Sequence, residues 1–289
     1  MTTRVHLQNP QDPTDDSVFG LGNTDNADPV YAQVPTLDFA SAGMPATSPP
    51  APTLTQVLYL TEPGTTNPIS VADINQGQLG DCFLLSSIGE EALFHPSAIT
   101  NMIRNNGNGT ETVTLYTAAT GRPPTFSSAS FKATAVTINN SFPANSVNNG
   151  AKQDVVGTQK EIWPQVLEKA VATLDGGYNA VANGGYPALA MEELTGHVAT
   201  SMSIASLTLS ALQSYVSAGD LITMDTSSHS GLPYGLVSDH CYMFEKLNGS
   251  GSSTTVTLGN PWGMDQPAAI PVTRLAQSGV VQIDIGHVG

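Results

Sequence analysis

The chain separates hydrophobic and polar positions into recognisable segments only from about Leu54 onward. The stretch Gly80 to Leu93 is apolar around most of its start, at Phe83, Leu84, Leu85 and Ile88, which predicts a central, buried helix. After the turn signals of NNGNG, the runs Thr112 to Tyr116 and Lys132 to Ile138 are rich in β-branched residues and predict two strands. A second helix is expected over Lys160 to Leu174, where Ile162, Val166, Leu167, Ala170 and Leu174 share one stripe and Asp175-Gly176-Gly177 stops it. A third, short helix fits Ala188 to Leu194, ending before Thr195-Gly196.

Beyond that point the pattern changes. A helix near Ser206 to Ser217 is followed by LITMDT, HCYMFEKL, STTVTLGN and VVQIDIG, which read as successive strands separated by Gly, Ser and Asn. Helices first and strands afterwards predict an α+β protein of two lobes, residues 54–196 mainly helical and residues 197–289 β-rich, with a cleft between them. Residues 1–53 have no sustained apolar period and end in MPATSPPAPT, the composition of a flexible leader.

Charge narrows the partners. Nine Lys+Arg against 24 Asp+Glu give a net charge of -15, which repels phosphate backbones and anionic lipid, so neither nucleic acid nor a membrane surface is expected as a partner. No run approaches the length needed to span a bilayer, and the N-terminus lacks the order of a signal peptide. The expectation is a soluble chain without membrane insertion, cytoplasmic or released without a conventional signal. Two cysteines, Cys82 and Cys241, exclude a disulfide scaffold, and CxxC and HExxH spacings are absent.

The chemistry lies in three segments. A cysteine attacks as thiolate, and a helix N-terminus is one of the devices that favours negative charge. Cys82 opens the apolar helix after Gly80-Asp81, although a buried structural cysteine would look the same in this segment alone. Downstream, DHCYMF places His240 at the head of a strand and LGNPWG places Asn260 at the end of the next. Adjacent antiparallel strands would bring the pair side by side, with the Asn260 amide oxygen on the imidazole Nδ1–H and Nε2 left to face a nucleophile. The result would be a thiolate–imidazolium pair with an orienting third group.

These segments carry a family resemblance. INQGQLGDCFLLSSI resembles the nucleophile segment of calpains, DHCYMF their histidine strand and GNPWG their asparagine segment, in the same order. EIWPQVLEKAVATLDGGY with MEELTG, and LITMDTSSH with GLVSDHCY, are similar to the family's connecting stretches, so the likeness runs from about Asp73 to Gly263. It implies a papain-like two-lobe cysteine peptidase fold and an endopeptidase acting on protein or peptide substrates. Cys82 would be the nucleophile, His240 the base and then acid, and Asn260 the orienter. Gln76 matches an oxyanion-hole glutamine, and Trp262 a tryptophan packed over the Asn–His pair. The resemblance also implies calcium, with Asp73 and Glu168 matching two of the family's carboxylate ligands. At the family's second calcium site an acidic residue is replaced by Met264, with Asp265 following.

Two further departures stand out. No EF-hand loop or regulatory module is expected after the core. Asp239-His240-Cys241 replaces the Gly-His-Ala of many calpains, placing a second thiol beside the base. Strand alternation turns Cys241 towards the core when His240 faces the cleft, which predicts an inert side chain and argues against a Cys82–Cys241 disulfide. Rival readings keep the residue order but not the reaction: acyl transfer to an amine, as in transglutaminase-like relatives, or a silent or self-processing interaction module.

Overall fold

The structure is a computed structural model that describes residues 54–61, 64–118, 130–149 and 155–288. The leader expected over residues 1–53 lies outside the described residues. The order of elements follows the hydrophobic pattern closely. Helix α1 (Cys82–Phe94) is buried at every residue from Cys82 to Ala92, as expected of a helix apolar on most sides. It is followed by α2 (Pro96–Met102), whose first turn carries Pro96 where a missing N–H costs nothing.

Three strands after α2 form an antiparallel sheet, β2 (Ile103–Asn105), β3 (Thr110–Ala118) and β4 (Phe131–Asn139), with β3 central. The expected second helix begins three residues later than the Lys160 start read from the sequence. Gln159–Glu161 is instead strand β6, paired in parallel with β1 (Thr55–Val57) and antiparallel with β5 (Val155–Val156), and α3 spans Trp163–Leu174 with Pro164 in its first turn. Local period could not show this, because β1 supplies the hydrogen bonds from a hundred residues away. After the short α4 (Tyr178–Val181), helix α5 (Pro187–Thr195) ends on Gly196. Gly196 has φ of 72°, and a Cβ there would sit 2.6 Å from the Tyr116 ring, so both backbone and packing require glycine.

The remaining elements build a six-stranded antiparallel sheet in the order β11-β10-β9-β8-β12-β7. The strands are β7 (Ala199–Ser203), β8 (Leu221–Thr226), β9 (Cys241–Asn248), β10 (Thr255–Gly259), β11 (Ile270–Pro271) and β12 (Val280–Gly286). Helix α6 (Leu209–Ala218) starts at a Thr208 cap, whose side chain accepts the Ala211 N–H at 3.1 Å, and stops at Gly219. Edge strand β7 was not legible in the sequence, since ATSMS lacks any apolar alternation and pairs only with β12.

Two hydrophobic cores follow from this arrangement. One gathers α1, α3 and the β2-β3-β4 sheet and includes Cys82 and Cys241. The other lies on the opposite side of the large sheet, with Tyr242, Phe244, Leu258 and Ile283. Helix α1 packs across β8 and β9, so closely that a Cβ on Gly89 would lie 2.7 Å from the Met243 sulfur. Among the described residues, no helix is long and apolar enough to cross a membrane.

The sheet also buries acids. Asp225 on β8 and Asp284 on β12 bond one another, Gln282 Nε2 reaches Asp225 Oδ2 at 3.1 Å and Asp284 Oδ2 at 3.0 Å, and the Ser201 hydroxyl bonds Asp284. Burial, with Cys241 and Asp284 adding to it, holds the Asp225 carboxyl well above its ordinary range, so it keeps a proton that the unfolded chain gives up. Stability is therefore lost as pH rises above about 4, the unfolded value, toward the raised folded one. Asp225→Asn, which mimics the protonated acid, is expected to raise the thermal midpoint by several degrees at pH 8 and by much less at pH 4. Thermal melts of both proteins across that range check this; an equal effect at both ends would contradict it.

Candidate active site

Cys82 is the first residue of α1, where backbone N–H groups have no partner within the helix and the dipole favours an anion. Its sulfur accepts the backbone N–H of Cys241 at 3.1 Å, so it rests on the peptide that joins His240 to Cys241. Four residues on, the Ser86 hydroxyl donates to the Cys241 carbonyl at 2.9 Å. The start of α1 is thus tied to the start of β9 at two points.

His240 immediately precedes β9. Its backbone is clamped to Thr226, accepting the Thr226 N–H at 2.9 Å and donating to the Thr226 hydroxyl at 3.0 Å. Its Nε2 lies 3.0 Å from Asn260 Oδ1. That oxygen also accepts the Trp262 N–H at 3.0 Å, while Asn260 Nδ2 donates to the Asp265 carbonyl, so the amide is oriented with its oxygen towards the ring. Because the oxygen can only accept, Nε2 carries the hydrogen and Nδ1 keeps the basic lone pair. The sequence expectation had the two nitrogens reversed. The reason is register: Gly259 pairs with Met243, which puts Asn260 opposite Tyr242 and two residues short of the position opposite His240, so the ring reaches along the strand and meets the amide with its far nitrogen.

Two aromatic rings enclose the imidazole. Tyr242 stands edge-on with ring centroids 4.8 Å apart, and Trp262 lies at 4.7 Å. Cys82, His240 and Asn260 are 0%, 3% and 2% exposed. Burial lowers the His240 pKa to about 4 against a smaller opposing effect of the Asn260 bond, so the imidazole is neutral near pH 7. Among the described residues no hydrogen bond joins Cys82 to the ring; the sulfur is on the adjoining peptide instead.

Gln76 is buried beside these groups. Its N–H donates to the Pro261 carbonyl at 2.9 Å, stitching the segment before α1 to the Asn260 loop, and its Nε2 donates to Leu79 O at 2.7 Å and Asp81 Oδ1 at 3.2 Å. Asp81, which the sequence reading passed over, is fully buried and holds Gln76 in place. It also hydrogen-bonds Glu168, and burial raises both acids. Its position next to Cys82 was the only sequence signal for this role.

Asp73 and Glu168 each accept hydrogen bonds from protein donors. Asp73 Oδ2 accepts the Ser70 N–H at 2.7 Å and the Trp163 indole N–H at 3.0 Å. Glu168 Oε1 accepts the Val147 N–H at 2.8 Å, and Oε2 accepts the Tyr178 hydroxyl at 3.3 Å. Calcium needs six to eight oxygens, and among the described residues no group of three His, Cys, Asp or Glu side chains could hold a metal. In this arrangement both carboxylates are engaged by protein donors.

Cys241 departs from its expected isolation. Alternation does turn it away from the His240 ring, but that face of β9 is the one on which α1 packs. Its side chain consequently meets Cys82 and Asp225.

The model of the calpain family cysteine protease matches residues 60–267. Among curated relatives, Calpain-9 of Rattus norvegicus is 27% identical over 208 residues, 66% of this chain and 28% of the relative. Calpain-9 of Mus musculus is 28% identical over 209 residues, and Calpain-13 of Rattus norvegicus is 27% identical over 203. The matched part spans less than a third of the length of these relatives. With the family model covering well over half of the sequence, and the covered span taking in α1, β9 and the Asn260 loop, the chain belongs to the calpain family of cysteine proteases.

Proposed function

We propose that this chain is a cysteine endopeptidase in which Cys82, His240 and Asn260 form the catalytic triad. The observation that carries the reading is the His240 Nε2–Asn260 Oδ1 bond, enclosed by Tyr242 and Trp262, with the Cys82 sulfur on the adjoining peptide at a helix N-terminus. In the proposed division of labour, residues 54–196 carry the nucleophile and residues 197–289 carry His240 and Asn260.

The first step follows from the tautomer. With Nε2–H held by Asn260, Nδ1 takes the thiol proton as the Cys82 side chain turns from the Cys241 N–H towards the ring. The thiolate attacks the substrate carbonyl carbon and the oxygen becomes an oxyanion. The Cys82 N–H and the Gln76 amide are its donors, the substrate oxygen competing with Leu79 O for Gln76 Nε2. His240 then gives its proton to the departing amine, leaving an acyl-enzyme. Water, deprotonated by Nδ1, attacks the acyl carbon and restores the thiol. Asn260 keeps the ring oriented throughout, and Trp262 keeps that bond dry.

Calcium activation, implied by the family resemblance, enters no step here, because Asp73 and Glu168 are engaged by other donors. The cleft of this reading is assembled by the hydrogen bonds between α1, β9 and the Asn260 loop.

The test is casein hydrolysis by wild type and Cys82→Ala, each with calcium and with chelator. Wild type is expected to cleave and Cys82→Ala to fall to background, with chelator leaving the wild-type rate unchanged. Loss of the rate in chelator would mean that Asp73 and Glu168 exchange their present partners for metal. Absence of cleavage by folded wild type under every condition would overturn the peptidase reading in favour of a silent module.

Two variants probe the roles. Gln76→Ala should lower kcat/KM by about 10²–10³-fold, the cost of one oxyanion donor, with little change in KM. Trp262→Ala should admit water to the imidazole, so burial no longer holds the His240 pKa near about 4. The acid limb of the kcat/KM profile should then move upward in pH. An unmoved limb would argue against this shielding role.

A further inference from the structure

Cys82 and Cys241 are the chain's only cysteines, and both are free and buried. They meet at the start of α1. The Cys82 sulfur accepts the Cys241 N–H at 3.1 Å, and the Cys241 side chain hydrogen-bonds that of Cys82. Nothing in the peptidase mechanism uses the Cys241 thiol, since its main chain alone holds the helix and the sulfur. On its other side the thiol touches Asp225, whose carboxyl is kept protonated by burial. A second thiol has thus been placed against the nucleophile, although alanine or serine would serve the same backbone contact.

We propose that Cys241 is a resolving thiol, which closes a reversible disulfide with Cys82 when the nucleophile is oxidised by a peroxide. The regulatory consequence rests on Cys82 being the peptidase nucleophile; the disulfide itself does not. The steps balance as follows. Cys82 thiolate attacks one oxygen of hydrogen peroxide, the O–O bond breaks, the sulfur becomes a sulfenic acid, and the other oxygen leaves as water after taking a proton. The Cys241 sulfur then attacks the Cys82 sulfur, the S–O bond breaks, and hydroxide leaves as a second water with the Cys241 proton. Two electrons pass from the two sulfurs to the peroxide. An external dithiol reverses the reaction by exchange. While the bond exists, Cys82 has no thiolate with which to attack, and its sulfur is protected from the irreversible sulfinic and sulfonic acids.

The packing favours this route over slow scrambling, because the Cys82 sulfur already rests on the Cys241 N–H and the two side chains hydrogen-bond each other. The Ser86–Cys241 bond and the Cys241 N–H hold the helix start and the strand start together before oxidation. Disulfide formation is sensitive to such placement, since Cα atoms more than about 7 Å apart cannot be bridged without backbone movement.

The test treats reduced wild type, Cys241→Ala and Cys241→Ser with a several-fold excess of hydrogen peroxide, enough to carry an unprotected Cys82 past sulfenic acid to the irreversible sulfinic acid. Intact mass, peptide mapping and casein hydrolysis before and after dithiothreitol are then recorded. Wild type should lose two hydrogen atoms in mass, yield a cross-linked peptide pair containing Cys82 and Cys241, lose hydrolysis, and recover most of it with dithiothreitol. Both variants should show no cross-link, gain oxygen at Cys82, and recover several-fold less activity; either variant suffices if the other fails to fold. Oxygen addition at Cys82 in wild type without a cross-link, or equal recovery in all three proteins, would overturn the proposal. A cross-link in a wild type that never hydrolyses casein would support the disulfide and remove the peptidase reading instead.

Discussion

The peptide between His240 and Cys241 is where the two halves of the site are joined. Its N–H is given to the Cys82 sulfur at the head of α1, and the next carbonyl receives the Ser86 hydroxyl one helical turn later. Helix α1 is buried along almost its whole length and lies on β8 and β9, so these two bonds set the height of the helix start against the strand. The same strand head carries the imidazole. A shift of one residue in β9 would move His240 off the face shared with Tyr242 and carry Cys241 away from Cys82. The rest of the molecule serves this placement: β10 brings Asn260 up to the ring, and the Gln76–Pro261 bond closes the loop back to α1.

Buried acids with raised pKa values surround Cys82, in a strongly acidic chain. Asp81 and Glu168 hydrogen-bond each other on one side, and Asp225 bonds Asp284 and Cys241 on the other. Burial raises each of these acids, so protons rather than cations settle their charge. The imidazole is pushed in the matching direction and is neutral. A site of this kind has its polarity set by which groups hold protons. It also explains how Asp81 can sit beside Cys82 without imposing a full negative charge on the helix start.

Much of this was legible in the sequence, and the gaps have physical causes. The apolar run after Cys82 marked α1, and β8 and β12 stood out because β-branched residues alternate or fill them. The three functional segments were legible as motifs, and the structure sets His240 and Asn260 in contact. Long-range hydrogen bonding was not legible: Lys160 and Glu161, expected to open the second helix, are claimed by β1, and β7 has no pattern of its own. Alternation gave the right face for Cys241, yet it cannot say what packs on that face. Register beyond the last paired residue decided which imidazole nitrogen meets Asn260. For Asp73 and Glu168, motif position gave no account of the Ser70, Trp163, Val147 and Tyr178 donors that occupy them.

The central claim is that His240, oriented by Asn260, governs the reactivity of Cys82. Its most direct test is the rate of alkylation by iodoacetamide as a function of pH, with the modified cysteine located by mass spectrometry, in wild type, His240→Ala and Asn260→Ala. The account predicts modification at Cys82 well ahead of Cys241, with a rate profile on the acid side that disappears in His240→Ala and is weakened in Asn260→Ala. Equal reaction at both cysteines, or a Cys82 profile unchanged by loss of the imidazole, would contradict it.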